Sequence, residues 1–315
     1  MKPRFQSLTL LVVSSLLLLI SLHHFITCQV SKNFADVIDA ATSQYVATKE
    51  WQDVLAKNNI FVKIPTCQKL DFPKTFDFNR TFMNLCYDYE AFEPWITIHK
   101  ASGVFLLDTI KKQYNIPILN PVYKTFPTDN GYFATMKKGV DSGECDVIVG
   151  ATNWNAERLA QAHFQCAYGT SYQGWLRSEL QNETLIFKNI EDLDNTGVII
   201  VVSADTSYEN FVKNTFKKAT IKVIGGYDDA WAMVSNRTVH AYIADVLDLF
   251  IWLGNNRNIC QGCRVSFFGD STQFGTFITM NITGTSGGNA SFEWNVQLTF
   301  ISMIIFIVSF VLNLG

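Results

Sequence analysis

Basic residues, histidines and catalytic signatures are all scarce in this chain. Its 25 Lys and Arg are outnumbered by 28 Asp and Glu, for a net charge of −3, so no basic stripe for a nucleic-acid backbone is implied. It has no His-Glu-x-x-His, no phosphate-binding glycine loop and no Gly-x-Ser-x-Gly at a strand-to-helix turn. Beyond the N-terminal apolar run, His99, His163 and His240 are scattered. Cys260-Gln261-Gly262-Cys263 lacks the second Cys pair that a zinc site needs. Metal and redox chemistry are therefore not expected, and no cofactor is called for. Carboxylates are plentiful, so a carboxylate-dependent hydrolase stays as an alternative. The absences favour a protein that is not an enzyme.

Two apolar runs stand at the ends. Lys2 and Arg4 precede an uncharged stretch over residues 8–22. This is the layout of a secretory signal peptide over residues 1–28, cleaved near Cys28; a retained signal anchor is the other reading. Residues 298–315 are equally apolar and have no basic flank of the kind that usually closes a single-pass span. Upstream lies the small-residue stretch Gly284-Thr285-Ser286-Gly287-Gly288-Asn289-Ala290-Ser291, then a short polar spacer. That arrangement matches a glycolipid (GPI) anchor signal, with attachment among Ser286, Gly287, Gly288 and Asn289 and loss of the tail. The alternative is a C-terminal transmembrane helix. Either way the protein is expected on the outer face of the cell surface, attached to the membrane.

Asn79, Asn182, Asn236 and Asn281 each begin an Asn-x-Ser/Thr acceptor, and Asn289 is a fifth near the tail. Of the 7 cysteines, Cys28 is expected to leave with the signal. The remaining even number in an oxidising compartment suggests disulfides throughout. Chain spacing favours Cys67 with Cys86, Cys145 with Cys166, and Cys260 with Cys263.

The middle, roughly 260 residues, is long enough for a sizeable core and two lobes. Phe34, Val37, Ile38, Ala41, Tyr45, Trp51 and Val54 recur mostly at helical spacing, predicting a helical extension over residues 31–58. Strands are predicted at 60–64, 117–123, 145–149, 197–202, 221–224 and 239–243. Helices are predicted at 104–114, 133–140, 156–164, from Thr206 onward, 230–235 and 246–253. Strands alternating with helices define an α/β fold with largely parallel sheets. Ligands of such folds sit beyond the strand C-terminal ends.

Three such ends stand out. After the strand at 145–149, Asn153 and Asn155 precede a helix whose first turn carries Arg158. A guanidinium there opposes the positive helix start unless it faces an anion; pairing with Glu157 is the plainer reading. Thr206 and Ser207 open the helix of a Thr-x-x-Glu capping box, where free amides suit an anion. Asp245 directly follows the last strand and suits an ammonium, or caps the next helix, or does both. Together these residues would hold the two charged ends of a free α-amino acid.

The order of these motifs resembles the family 3 extracellular solute-binding proteins, which share the type II periplasmic-binding-protein fold with ionotropic glutamate receptor ligand domains. Gly143-Glu144-Cys145-Asp146-Val147-Ile148-Val149 is similar to that family's small-x-x-Asp-apolar strand. Asn153-x-Asn155-Ala156-Glu157-Arg158 is similar to its Thr-x-Thr-Pro-Glu-Arg loop, whose Arg binds the ligand carboxylate. His163 to Tyr168 stands where the family has Phe-Ser-x-Pro-Tyr, Ser203 to Ser207 replaces its Gly-Thr-Thr, and Val239 to Asp245 matches its Val-Asp-Ala-x-x-x-Asp. The resemblance spans roughly residues 60–278. It implies two lobes joined by a hinge, with crossings near 168–173 and 250–254. The divisions are 29–58 extension, 59–170 lobe 1, 171–249 lobe 2, 250–280 return to lobe 1, 281–297 linker with the attachment region, and 298–315 tail. The family also places an aromatic over the ligand, and Tyr87, Tyr89, Phe92 and Trp95 all compete for that position.

The expected function is a surface-anchored binding protein that closes on a small polar, amino-acid-like solute. Its signalling or transport output would need a partner protein. Asn in place of Ser or Thr at 153 and 155, and the absence of the family's closing helices, support a second reading: an adhesive or antigenic surface with a degenerate pocket.

Overall fold

The computed structural model of the protein describes residues 28–178 and 187–284. The signal segment, the acceptors Asn182 and Asn289, the attachment residues Ser286 to Asn289 and the 298–315 tail lie outside them. Among the described residues no helix is long and apolar enough to cross a membrane.

The chain enters through β1 (Val30–Ser31), and the Ser31 hydroxyl caps α1 (Lys32–Tyr45) by accepting from the Phe34 N–H at 3.0 Å. Thr48 caps α2 (Lys49–Lys57) in the same way, so the predicted extension is two helices rather than one. The expected strand at 60–64 does not form: residues 60–80 are irregular. Ile60 is buried while Phe61 is exposed, and the Lys63 carbonyl accepts from the Thr170 hydroxyl at 3.1 Å without a backbone ladder forming.

Next come β2 (Phe82–Asp88), α3 (Trp95–Tyr114), β3 (Asn120–Phe126), α4 (Tyr132–Asp141) and β4 (Val147–Asn153). The helix predicted over 156–164 is a single turn, α5 (Ala156–Leu159), followed by β5 (Ala162–Phe164). Residues 162–164 pair antiparallel with a late strand, and this ladder overrides the local helical pattern. The chain continues through β6 (Gly169–Ser178), β7 (Ile199–Ser203), α6 (Ser207–Thr215), β8 (Thr220–Ile224), α7 (Tyr227–Ser235), β9 (Ala241–Asp245), α8 (Val246–Asn255), β10 (Cys263–Thr279) and β11 (Ile282–Thr283).

The main sheet has the order β3-β2-β4-β10-β6-β9-β7-β8. At one end β3, β2 and β4 are parallel; at the other, β9, β7 and β8 are parallel. Between them β6 and β10 run antiparallel, with a register shift between Phe268 and Thr272. The first half buries Ile38, Trp51, Leu85, Ile98 and Val147 against α1 to α3. The second buries Leu193, Val202, Val212 and Ile243 on one face and Trp231, Tyr242 and Leu253 on the other. These are two α/β lobes joined by an antiparallel strand pair. The chain passes between the halves along β6 and again along β10; residues 250–254 lie within α8.

Two of the three predicted disulfides are wrong. Cys67 bridges Cys166, Cys86 bridges Cys145, and Cys260 bridges Cys263 as expected. Cys86 lies in β2 and Cys145 two residues before its parallel neighbour β4, with Cα atoms 5.9 Å apart. That adjacency is created by the sheet, not by chain proximity. Cys28 is a free thiol. Among the described acceptors, Asn79 and Asn236 are exposed and Asn281 is half-buried.

Candidate ligand-binding site

Four strands end at the boundary between the lobes. Asp88 terminates β2, Asn153 terminates β4, Ser203 terminates β7 and Asp245 terminates β9. Parallel strands in each lobe point their C-terminal ends at the other lobe, the position where open α/β sheets bind ligands. The cavity there has a volume of about 90 Å³, room for a few waters or one small solute. All five residues chosen from sequence, Asn153, Arg158, Thr206, Ser207 and Asp245, line it.

Arg158 is supplied by the first lobe. Asn155 caps α5 by accepting from the Arg158 N–H at 2.7 Å, which fixes the residue at the helix start. The side chain is 6% exposed. Its Nη1 donates to the Asn153 carbonyl at 3.2 Å and its Nη2 to the Asp205 carbonyl at 2.8 Å. The guanidinium lies over the Phe133 ring, 4.8 Å from the centroid. No carboxylate of the described residues forms a salt bridge with it, so the Glu157 pairing does not occur: Glu157 accepts instead from Asn210 Nδ2. Burial lowers the Arg158 pKa. A buried cation held only by carbonyls and a ring face retains N–H donors for an incoming anion.

The second lobe supplies Asp245, which caps the next helix and lines the cavity. Its Oδ1 accepts from the Leu247 N–H at 2.8 Å, capping α8, and from Ser171 Oγ at 2.6 Å. Its Oδ2 accepts from the Tyr208 hydroxyl at 3.2 Å. Burial pushes its pKa up, against the lowering effect of these donors. Asn153 Nδ2 in turn donates to Tyr208 at 2.8 Å, crossing between the lobes, while Asn153 Oδ1 is buried without a partner. Thr206 is committed to the cap of α6: it donates to the Ser203 carbonyl and accepts from the Glu209 N–H. Glu209 completes the box one residue early, on the Asp205 N–H at 2.6 Å.

Of the competing aromatics, Phe92 and Trp95 reach the cavity. Tyr89 is 71% exposed, and Tyr87 is buried against His99 and Tyr123. Sequence reasoning missed Asp88, Asp248, Tyr132, Tyr208, Tyr227 and Trp231, all in the lining. Asp88 had a signal: it ends an apolar run, as Asp245 does. Asp248 lies three residues after Asp245 on a predicted helix, which sets both on one face.

The lobes, the antiparallel connection and the cleft at strand ends define a two-lobed type II periplasmic-binding-protein fold. No protein-family model and no curated protein matches the chain. Solved structures do. An ancestral amino acid-binding protein, a precursor of cyclohexadienyl dehydratase, aligns with a TM-score of 0.51 at 18% identity, over 64% of this chain and 82% of its own. The GluR0 ligand-binding core in complex with L-glutamate aligns with a TM-score of 0.50 at 17% identity, over 65% and 87%. An amino acid ABC transporter substrate-binding protein from Streptococcus pneumoniae, bound to L-arginine, aligns with a TM-score of 0.50 at 13% identity, over 64% and 82%. These likenesses bear out the expected fold.

Proposed function

We propose that this chain is a non-enzymatic solute-binding protein whose lobes close on a free amino acid or a close analogue. Arg158 takes the carboxylate and Asp245 the ammonium. The observation that carries this reading is Arg158 itself: a guanidinium 6% exposed, in an interlobe cavity, with no salt bridge among the described residues. A buried charge in that state is costly unless a ligand neutralises it. The solved structures named above are amino-acid-binding proteins, which agrees with the reading. We further propose that the protein is secreted and glycosylated, and is held on the outer cell surface by a glycolipid at Ser286, Gly287, Gly288 or Asn289. The basis is the signal and attachment layout of the sequence.

The test is a thermal-shift screen of the detergent-solubilised full chain against the free L-amino acids, repeated with Arg158→Met. At least one amino acid should raise the melting temperature, and the variant should lose that response. A variant that keeps it would refute the assignment of Arg158. If no amino acid shifts wild type, the degenerate-pocket reading stands instead.

A further inference from the structure

Asp245 enters the cleft already supplied with donors by its own chain. Its Oδ1 accepts from Ser171 Oγ at 2.6 Å and from the Leu247 N–H at 2.8 Å, and its Oδ2 accepts from the Tyr208 hydroxyl at 3.2 Å. The Asn153 side chain also stands close enough to lower the Asp245 pKa as a hydrogen-bond donor. A carboxylate offers about four acceptor positions, so the chain's own donors meet all of them. An incoming ammonium must displace one.

Tyr208 is the donor placed to yield. Leu247 belongs to the cap of α8, and Ser171 lies buried in β6. Tyr208 reaches in from the first turn of α6 through the longest of the three bonds. Its hydroxyl has a single proton. Asn153 Nδ2 is itself a donor, at 2.8 Å, so the phenol oxygen accepts there and gives its proton to Asp245. Burial, and then the Asp245 charge, raise the Tyr208 pKa well above its ordinary value, so the proton stays on the oxygen.

The same hydroxyl joins the lobes, because Asn153 belongs to the first and Tyr208 to the second. Both line the cavity. Asn153 Oδ1 is left buried without a partner, and an ammonium taking the place of the hydroxyl could donate to it.

We infer that Tyr208 is an autoinhibitory latch: its hydroxyl ties Asn153 to Asp245 across the cleft and holds the Asp245 position that the ammonium of a solute needs. A solute with an amine therefore binds only by displacing it. The competing ammonium rests on the amino-acid reading above, whereas the tie between the lobes has a test of its own.

Glycine and acetate, the smallest α-amino acid and its amine-free counterpart, are titrated calorimetrically into the full chain in detergent. Wild type should bind the two within a few-fold of each other. Tyr208→Phe removes the competing proton and should raise the ratio of glycine to acetate affinity about 10-fold, the scale of one hydrogen bond to a charged group. A change in lobe closure alters both affinities together and cancels in the ratio. Asn210→Ala is the control: it removes the interlobe bond from Asn210 Nδ2 to Glu157 at 3.2 Å, outside the cavity lining, and should leave the ratio alone. An unchanged ratio in Tyr208→Phe, or an equal rise in Asn210→Ala, would overturn the inference and leave the amino-acid reading intact.

Failure of glycine to bind either protein would count against the amino-acid reading, and the latch is then decided without solute. Hydrogen exchange of the solute-free chain reads it. Tyr208→Phe and Asn153→Ala should each speed exchange several-fold at the end of β4 and in α6, and the double variant should speed it no further. Additive effects, or none, would overturn the inference.

Discussion

Gly131 and Asp205 meet across the cleft with no space between them: a Cβ on Gly131 would lie 2.5 Å from the Asp205 Cβ. Gly131 opens α4 in the first lobe at φ 109°, and Asp205 follows β7 in the second at φ 55°. The Asp205 carboxylate accepts from the Ala134 N–H, and its carbonyl accepts from Arg158 Nη2 at 2.8 Å. One turn of the second lobe therefore caps a helix of the first and orients Arg158. Closure of the lobes and assembly of the site are the same event.

Gly131→Ala should prop the lobes apart. Its φ is also unfavourable for any residue with a Cβ, at a cost of about 1–3 kcal/mol. Small-angle scattering should show a larger radius of gyration than wild type, and solute affinity should fall. An unchanged radius with unchanged affinity would mean that this contact does not hold the closed state.

Acid pH should stabilise the unliganded protein through Asp88. Burial raises its pKa from 3.8 to about 7, so between about pH 4 and 7 the folded state keeps a proton that the unfolded state has lost. Stability then falls as pH rises through that window, by up to about 4 kcal/mol, and levels off above it. Urea denaturation at pH 5 and pH 8 measures the slope, and Asp88→Asn should flatten it. A variant with the wild-type slope would assign the effect elsewhere.

A second pH term has the same sign but a different origin. His163 Nε2 bonds Asp39 Oδ2 at 2.8 Å, tying β5 to α1, and this partner raises the His163 pKa despite partial burial. The contribution is fully present below the unfolded pKa near 6.5 and is lost as pH rises through the higher folded value. His163→Gln should remove this loss above neutrality and leave the Asp88 slope below it. Hydrogen exchange in α1 gives the local readout: protection there that does not change between pH 6 and 8 would refute the coupling.

Peptide mapping without reduction should recover Cys67 linked to Cys166, Cys86 to Cys145 and Cys260 to Cys263. The first spans 99 residues, so Cys67→Ser should cost about 2–4 kcal/mol by freeing the unfolded chain from that constraint. Recovery of a peptide joining Cys67 to Cys86 would contradict the strand adjacency on which the pairing depends.

Phosphatidylinositol-specific phospholipase should release the protein from intact cells. Bulky replacements at Ser286, Gly287, Gly288 and Asn289 should block processing. Peptides from residues 298–314 in the surface-exposed protein would show a retained transmembrane helix instead.

Local sequence determined the parts of this protein whose physics is local. The capping residues Ser31, Asn155, Thr206 and Asp245 fix helix starts with their own side chains, and the alternation of apolar strands with helices fixes the class. Strand ends pointed to Arg158 and Asp245, which line the cavity, because open α/β sheets place their ligand sites where parallel strands stop. Tertiary structure decided everything that depends on a distant partner. Residues 162–164 became a strand because β10 offered a ladder, whereas 60–64 joins no ladder. Cys86 found Cys145 because the sheet put β4, which Cys145 leads into, beside β2. The presence of Asp88 and Asp248 in one cavity lining also belongs to this second group. They are 160 positions apart in the numbering of the chain, and only the approach of two lobes desolvates both in one cavity.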